Sequence, residues 1–309
     1  MSAFVSGVRG AFLYLSKQKD LRHFLETSPN ARRFTSRFIA GLTLDDALRV
    51  ARELQSGGVL SSLDHLGENV STTTEASEAR DAYLSALTRV DEARLDATVS
   101  MKVTSIGLDL SEELCLANTE TLARKARETG STIECDMEDS SYTERNLRIV
   151  RQTHNNGGSV RAVIQAYLYR SEADIEDLSR LGIPVRLCKG AYREPASVAF
   201  QEKSEVDRNY VKLMKALFDR GTYPAIASHD DAILAHTIEY ARAKRVGPER
   251  FEFQMLHGVR RKLQRQIIER GFRLRVYVPY GAAWYPYFMR RLAERPANVL
   301  FAARSLWDG

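Results

Sequence analysis

Arg290 and Arg291 stand side by side with Glu294 one turn further on, and two adjacent guanidiniums could grip a carboxylate through paired donors. In solvent the same trio would be an ordinary ion-pair pattern. The preceding run VPYGAAWYPYF is so aromatic that this helix is expected to lie across an apolar mouth. In RLCKGAYRE, Arg186 and Lys189 bracket a strand end and Gly190 lets backbone approach a ligand, which suits a phosphate or a reduced cofactor. The run Asp136, Met137, Glu138, Asp139 is acidic enough to suggest a metal. Consecutive strand residues point to opposite faces, however, so only alternate members share a side, and no metal site is expected. Cys135 and Cys188 sit within apolar strands, where buried, unreactive thiols are the expectation.

The elements that must position these groups show as a regular alternation. Strands are predicted at 59–66, 98–106, 131–137, 160–168, 184–190, 223–229, 251–256 and 274–280, separated by helical segments such as 111–129, 197–220 and 230–246. Gly130, Gly182, Gly221, Gly247 and Gly271 each follow a helical pattern, where a left-handed residue often ends a helix. Eight such units match a (β/α)8 barrel of TIM type, with an open doubly wound sheet as the alternative. Residues 1–57 are expected to form a helical N-terminal arm and 58–309 the catalytic barrel, with 283–296 as its last helix.

Barrel enzymes build their sites at the C-terminal ends of the strands. Those ends carry His65, Glu68, Lys102, Glu134, Asp136, Glu138, Gln165, Tyr167, Arg186, Lys189, Tyr192, Ser228, His229, Asp230, Gln254, His257 and Tyr277. A purely structural barrel needs few ionisable groups at one rim. The chain has no GxGxxG after a strand, no GxxxxGK[ST], no HExxH and no GxSxG, so Rossmann, P-loop, zincin and serine-hydrolase chemistry lack support.

With 309 residues, 44% of them hydrophobic and 28% charged, the chain can build a sizeable core, and no window is apolar enough to span a membrane. The three cysteines are too few and scattered for a disulfide framework, and no secretion signal is recognisable, so a cytoplasmic location is expected. Residues 1–40 carry seven Lys/Arg against Asp20 and Glu26, so the net charge of +5 resides in the arm. That distribution argues against nucleic-acid binding; it suits a solvated helical arm, or peripheral contact with an anionic membrane at its inner face.

In chain order, DMED, QAYLYR, RLCKGAYRE, the Ser-His of ASHD, FEFQMLHG, VYVPYG and YFMRRLAERP resemble the monofunctional bacterial proline dehydrogenases, from about Leu42 to Asn298. The resemblance implies a distorted (β/α)8 barrel whose last helix covers the mouth. It implies FAD as cofactor, L-proline as substrate, 1-pyrroline-5-carboxylate as product and a quinone as electron acceptor. It assigns Lys102, Arg290 and Arg291 to the proline carboxylate, Tyr277 to the proline ring, Leu256 to the pocket wall, and Asp136 to organising the site. Tyr277 is also implied to disfavour hydroxyproline. Met137, Gln165, Arg186, Lys189, Gly190, Ala191, Ser228 and His229 are the implied flavin contacts, Arg186 beside the reactive ring nitrogen. Glu68 is implied to pair with Arg291 as a gate. Arg193 stands where the family often has Trp. From the residues alone a Schiff-base barrel lyase is the rival, since Lys102 and Lys189 both sit at strand ends.

Overall fold

The computed structural model describes residues 35–294, with side chains described through Met289. In chain order the elements are α1 (Leu44–Ser56), β1 (Leu60–His65), α2 (Thr73–Glu92), β2 (Ala97–Lys102), α3 (Glu112–Glu128), β3 (Ile133–Asp136), α4 (Thr143–Asn155) and β4 (Val160–Gln165). They continue with α5 (Ser171–Arg180), β5 (Val185–Cys188), α6 (Lys203–Arg220), β6 (Ala225–Ala227), α7 (Asp231–Ala243), β7 (Glu252–Leu256), α8 (Arg261–Glu269), β8 (Leu274–Tyr280) and α9 (Trp284–Glu294). The strands are parallel and close in sequence order into one barrel, β8 pairing with β1 from Leu60↔Arg275 to His65↔Tyr280. This is the (β/α)8 architecture that the alternation predicts.

Local chemistry sets the helix starts. Thr43 and Thr72 each form a capping box, with Asp46 and Glu75 returning a bond to the cap backbone, while Ser111 and Asp230 cap α3 and α7. The apolar core lies between the outward faces of the strands and the helices: Leu63, Val99, Ile133, Leu187, Phe253 and Val276 are fully or almost fully buried there. Each such side chain contributes about 1.5–3 kcal/mol.

Three local expectations need correction. β2 stops at Lys102, because Val103–Ile106 coils into a buried 3-10 turn ended by Gly107 at φ 102°. The helix expected from 197 begins at Lys203. Residues before it are held instead by the Leu168–Ala199 bridge and by Phe200 N–H donating to the Tyr167 carbonyl at 2.8 Å. Gly130, Gly182 and Gly271 take the left-handed conformation, but Gly221 and Gly247 do not, and beyond α7 that conformation falls to Arg245 at φ 56°.

The outer layer closes in an unexpected way. α1, inside the stretch read as an N-terminal arm, packs against both β1 and β8 through buried Ala47, Leu48, Val50 and Ala51. α9 starts just beyond the C-terminal end of β8, and Trp284, Tyr285, Tyr287, Phe288 and Met289 are all buried. Phe288 meets Phe38 with ring centroids 6.2 Å apart, so the segment before α1 covers the first turns of α9.

Candidate active site

Strand alternation decides which side chains enter the barrel, and the register extends the choice from strand to strand. Ser62 pairs with Tyr277 and Thr98, Ser100 with Glu134, Lys102 with Asp136, Glu134 with Arg161, and Gln254 with Arg275. These residues share the inward set with Asp64, Gln165, Arg186, Glu252 and Leu256. Barrel interiors are ordinarily filled by Val, Ile and Leu. This one is largely polar.

At the C-terminal end, Tyr277, Asp136 and Arg186 form one unit. The Tyr277 hydroxyl donates to Asp136 Oδ2 at 2.6 Å, Arg186 binds Asp136 Oδ1 at 2.5 Å, and the guanidinium carbon lies 5.3 Å from the Tyr277 ring centroid. Arg186 is 5% exposed; it also binds Glu134 and donates to Ser100 Oγ at 3.0 Å. Burial opposes its charge, but the Glu134 and Asp136 carboxylates outweigh that and raise its pKa further. Its Nε is buried and has no hydrogen-bond partner among the described residues.

Asp64, which the sequence reading passed over, stands in the same end of the barrel and is 4% exposed. Burial first, then the Asp136 carboxylate, pushes it up to about 7, against the pull of Lys102, Tyr277 and Arg186. The signal was partial: Ser62 and Asp64 alternate with the apolar Leu63 in β1, but Ser61 and His65 make the other face polar too. The acidic run does not continue the strand's alternation, because β3 ends at Asp136 and Met137–Asp139 lie beyond it. Asp136 faces Arg186, whereas Glu138 turns to Thr104, accepting from its hydroxyl at 2.8 Å. Burial pushes the Glu138 carboxyl up to about 7.

The implied flavin residues cluster at the ends of β3 to β6. Met137 is buried beside Asp136. Gln165 donates to the Glu138 carbonyl at 2.7 Å and accepts from Ala191 N–H at 3.4 Å. Gly190 has φ 112°, and a Cβ there would lie 2.2 Å from the Tyr167 ring, so Tyr167 fills the space next to it. Ser228 Oγ accepts from Asp230 N–H at 3.1 Å, and His229 Nε2 accepts from Leu256 N–H at 3.0 Å. Lys189 Nζ binds Asp207 at 2.5 Å and Asp230 at 2.9 Å, and this contact holds Asp230 at about 2. Lys102 pairs with Glu68. The side chains of Arg290 and Arg291 lie outside the described residues, so the expected carboxylate clamp and the Glu68–Arg291 gate lie there too. Cys135 is buried on an outward position, and burial pushes Cys188 up to about 12, so neither supplies a thiolate.

Fold and site together define a (β/α)8-barrel enzyme with its chemistry at the C-terminal end of the strands. The family model for proline dehydrogenase matches residues 47–304. Proline dehydrogenase 1 of Bacillus subtilis subsp. natto is 40% identical over 299 residues, covering 97% of this chain and 99% of that protein. Proline dehydrogenase of Deinococcus radiodurans is 37% identical over 278 residues, covering 88% and 90%. Among solved structures, proline utilization A from Bdellovibrio bacteriovorus, inactivated by N-propargylglycine, superposes with a TM-score of 0.80 at 26% identity, over 85% of this chain and 33% of that longer one. The chain belongs to the proline dehydrogenase family.

Proposed function

We propose that the protein oxidises L-proline to 1-pyrroline-5-carboxylate, with FAD as cofactor and a quinone as final electron acceptor. The observation that carries this reading is the Tyr277–Asp136–Arg186 unit, set beside Lys102 at the barrel mouth of a chain of this family. The residues fit a flavin on a specific ground: the buried Arg186 Nε is a donor still to be satisfied, at a place where an electron-rich ring nitrogen could accept from it. Bound there, the flavin would accept the hydride from the substrate carbon.

Met137, Gln165, Arg186, Lys189, Gly190, Ala191, Ser228 and His229 hold the cofactor in this proposal. Lys189 and the Ser228–His229 pair serve its anionic part, and Arg186 carries a permanent positive charge to the reactive ring. Lys102, Arg290 and Arg291 fix the proline carboxylate, which orients the reacting carbon at roughly 3–3.5 Å. Tyr277 packs on the substrate ring, Leu256 forms a wall, and Glu68 closes the site with Arg291. Among the described residues no helix is long and apolar enough to cross a membrane. Contact with a quinone therefore calls for peripheral approach, for which the basic arm is suited.

The lyase alternative loses ground on geometry. Lys189 is clasped by two carboxylates and Lys102 by one, so neither amine is presented as an open nucleophile to a carbonyl substrate. The test is the visible spectrum of the purified protein. A yellow protein that bleaches with L-proline supports the proposal, and N-propargylglycine, which inactivated the Bdellovibrio protein, should then inactivate this one. A colourless protein trapped by borohydride with a carbonyl substrate would replace the proposal with the lyase.

A further inference from the structure

Below Arg186 the inward charges continue toward the N-terminal end of the barrel as one alternating series. Asp136 binds Arg186, Arg186 binds Glu134, and Glu134 Oε1 accepts from Arg161 at 3.1 Å. Arg161 also donates to Glu252 Oε1 at 2.9 Å, and Glu252 binds Arg275 at 2.8 Å. Neutral groups complete the oxygens: Thr98 donates to Glu134 at 2.5 Å and Gln254 to Glu252 at 2.6 Å, while Arg275 ends the series on the Ser61 carbonyl at 2.8 Å. Glu134 and Glu252 are fully buried. Burial pushes both carboxyls upward, but the neighbouring guanidiniums overcome it and hold them below the usual carboxylate range.

Such a series is costly to desolvate, and well-packed apolar side chains would often stabilise a barrel as well or better. Stability therefore does not account for it. Arg186, near its upper end, is the one cation in the series that reaches the proposed flavin.

Resting on the function proposed above, we propose that Glu134 and Arg161 are positioning residues, which fix Arg186 in place and set the net charge that it presents to the bound cofactor. Removing the negative charge of Glu134 leaves Arg186 less compensated and favours the reduced, anionic ring. Removing the positive charge of Arg161 leaves the Glu134 charge less compensated, so that it offsets more of Arg186's charge and disfavours that ring. The two changes act in opposite directions, although both break a buried ion pair.

The midpoint potential of the bound flavin, measured by reductive titration of the full chain, tests this. Glu134→Gln should raise the potential and Arg161→Gln should lower it, each by at least a tenfold change in the equilibrium, about 30 mV for a two-electron couple. Arg161→Lys should restore most of the parental value. A merely loosened barrel would lower thermal stability in both variants and move both potentials in one direction or neither, which would overturn the assignment. If Glu134→Gln does not fold, the fall in Arg161→Gln and its recovery in Arg161→Lys decide the matter alone. A parent protein without flavin would sink the proposed function itself; a flavin-loaded parent with unmoved variants would sink only this inference.

Discussion

Tyr277 and Asp136, 141 residues apart in the chain, meet at 2.6 Å because β8 and β3 both turn these side chains into the barrel. The ring of Tyr277 is thereby fixed from two sides, by the Asp136 carboxylate at its hydroxyl and by the Arg186 guanidinium near its face. Tyr277→Ser removes both contacts and, in the proposed site, opens space over the substrate ring. The ratio of kcat/KM for L-proline to that for hydroxyproline should fall several-fold; an unchanged ratio would remove Tyr277 from the specificity account.

Arg290 and Arg291 are assigned to the substrate carboxylate, so Arg291→Met or Arg290→Met should raise the proline KM by tenfold or more, since a charged hydrogen bond contributes about 1.5–3 kcal/mol. The flavin spectrum should stay nearly unchanged. Loss of flavin in place of loss of proline affinity would show that these roles are misassigned.

Asp64 gives a pH-dependent test of the buried cluster. Burial and Asp136 raise its folded pKa to about 7 from an ordinary value of 3.8, so the folded protein disfavours the ionised form. Stability tied to this group is fully present below about pH 4 and is lost as pH rises toward 7. Asp64→Asn should therefore leave Tm nearly unchanged at pH 4 and raise it at pH 8. A Tm difference between variant and parent that is the same at both pH values would contradict this placement.

Arg275 lies deep in the barrel and its partner Glu252 is fully buried, so Arg275→Met leaves a buried carboxylate with less compensation. The expected loss is about 3–5 kcal/mol, read from denaturant midpoints. Arg49→Met, which removes a surface ion pair with Glu53, should cost about 0.5 kcal/mol or less.

Gly258 has φ 74°, and a Cβ there would fall 1.6 Å from the Arg37 carbonyl oxygen. Gly258→Ala should therefore displace the segment around Arg37 and speed proteolysis there, while the flavin spectrum stays in place. Equal cleavage rates in variant and parent would refute this contact.

The barrel was legible because its strands are short apolar runs between strongly patterned helices, and all eight appear where the alternation put them. Periodicity could not see the end of β2: Val103–Ile106 is as apolar as a strand, and only the turn at Gly107 under α2 and α3 makes it coil. Asp64 was missed because His65 and Glu68 beside it are the more conspicuous chemical groups, and its importance arises from Asp136 on another strand. The charged lumen was half visible. Glu134 and Arg186 stood out because they lie two or three residues before Asp136 and Lys189 in short strands, but Arg161, Glu252 and Arg275 lie at the beginnings of longer strands, at a level where no chemistry is expected of a barrel. The place of α1 depends on contacts with the far end of the chain, which local pattern does not encode.

That last feature bears on biosynthesis. The helix that seals the seam between β1 and β8 is made before any of the eight barrel strands, whereas half of its seat is the last of those eight to leave the ribosome. Until then the nascent chain carries an apolar helix face with nowhere to dock, so folding must end with a long-range closure, the slowest kind of contact for a chain to form.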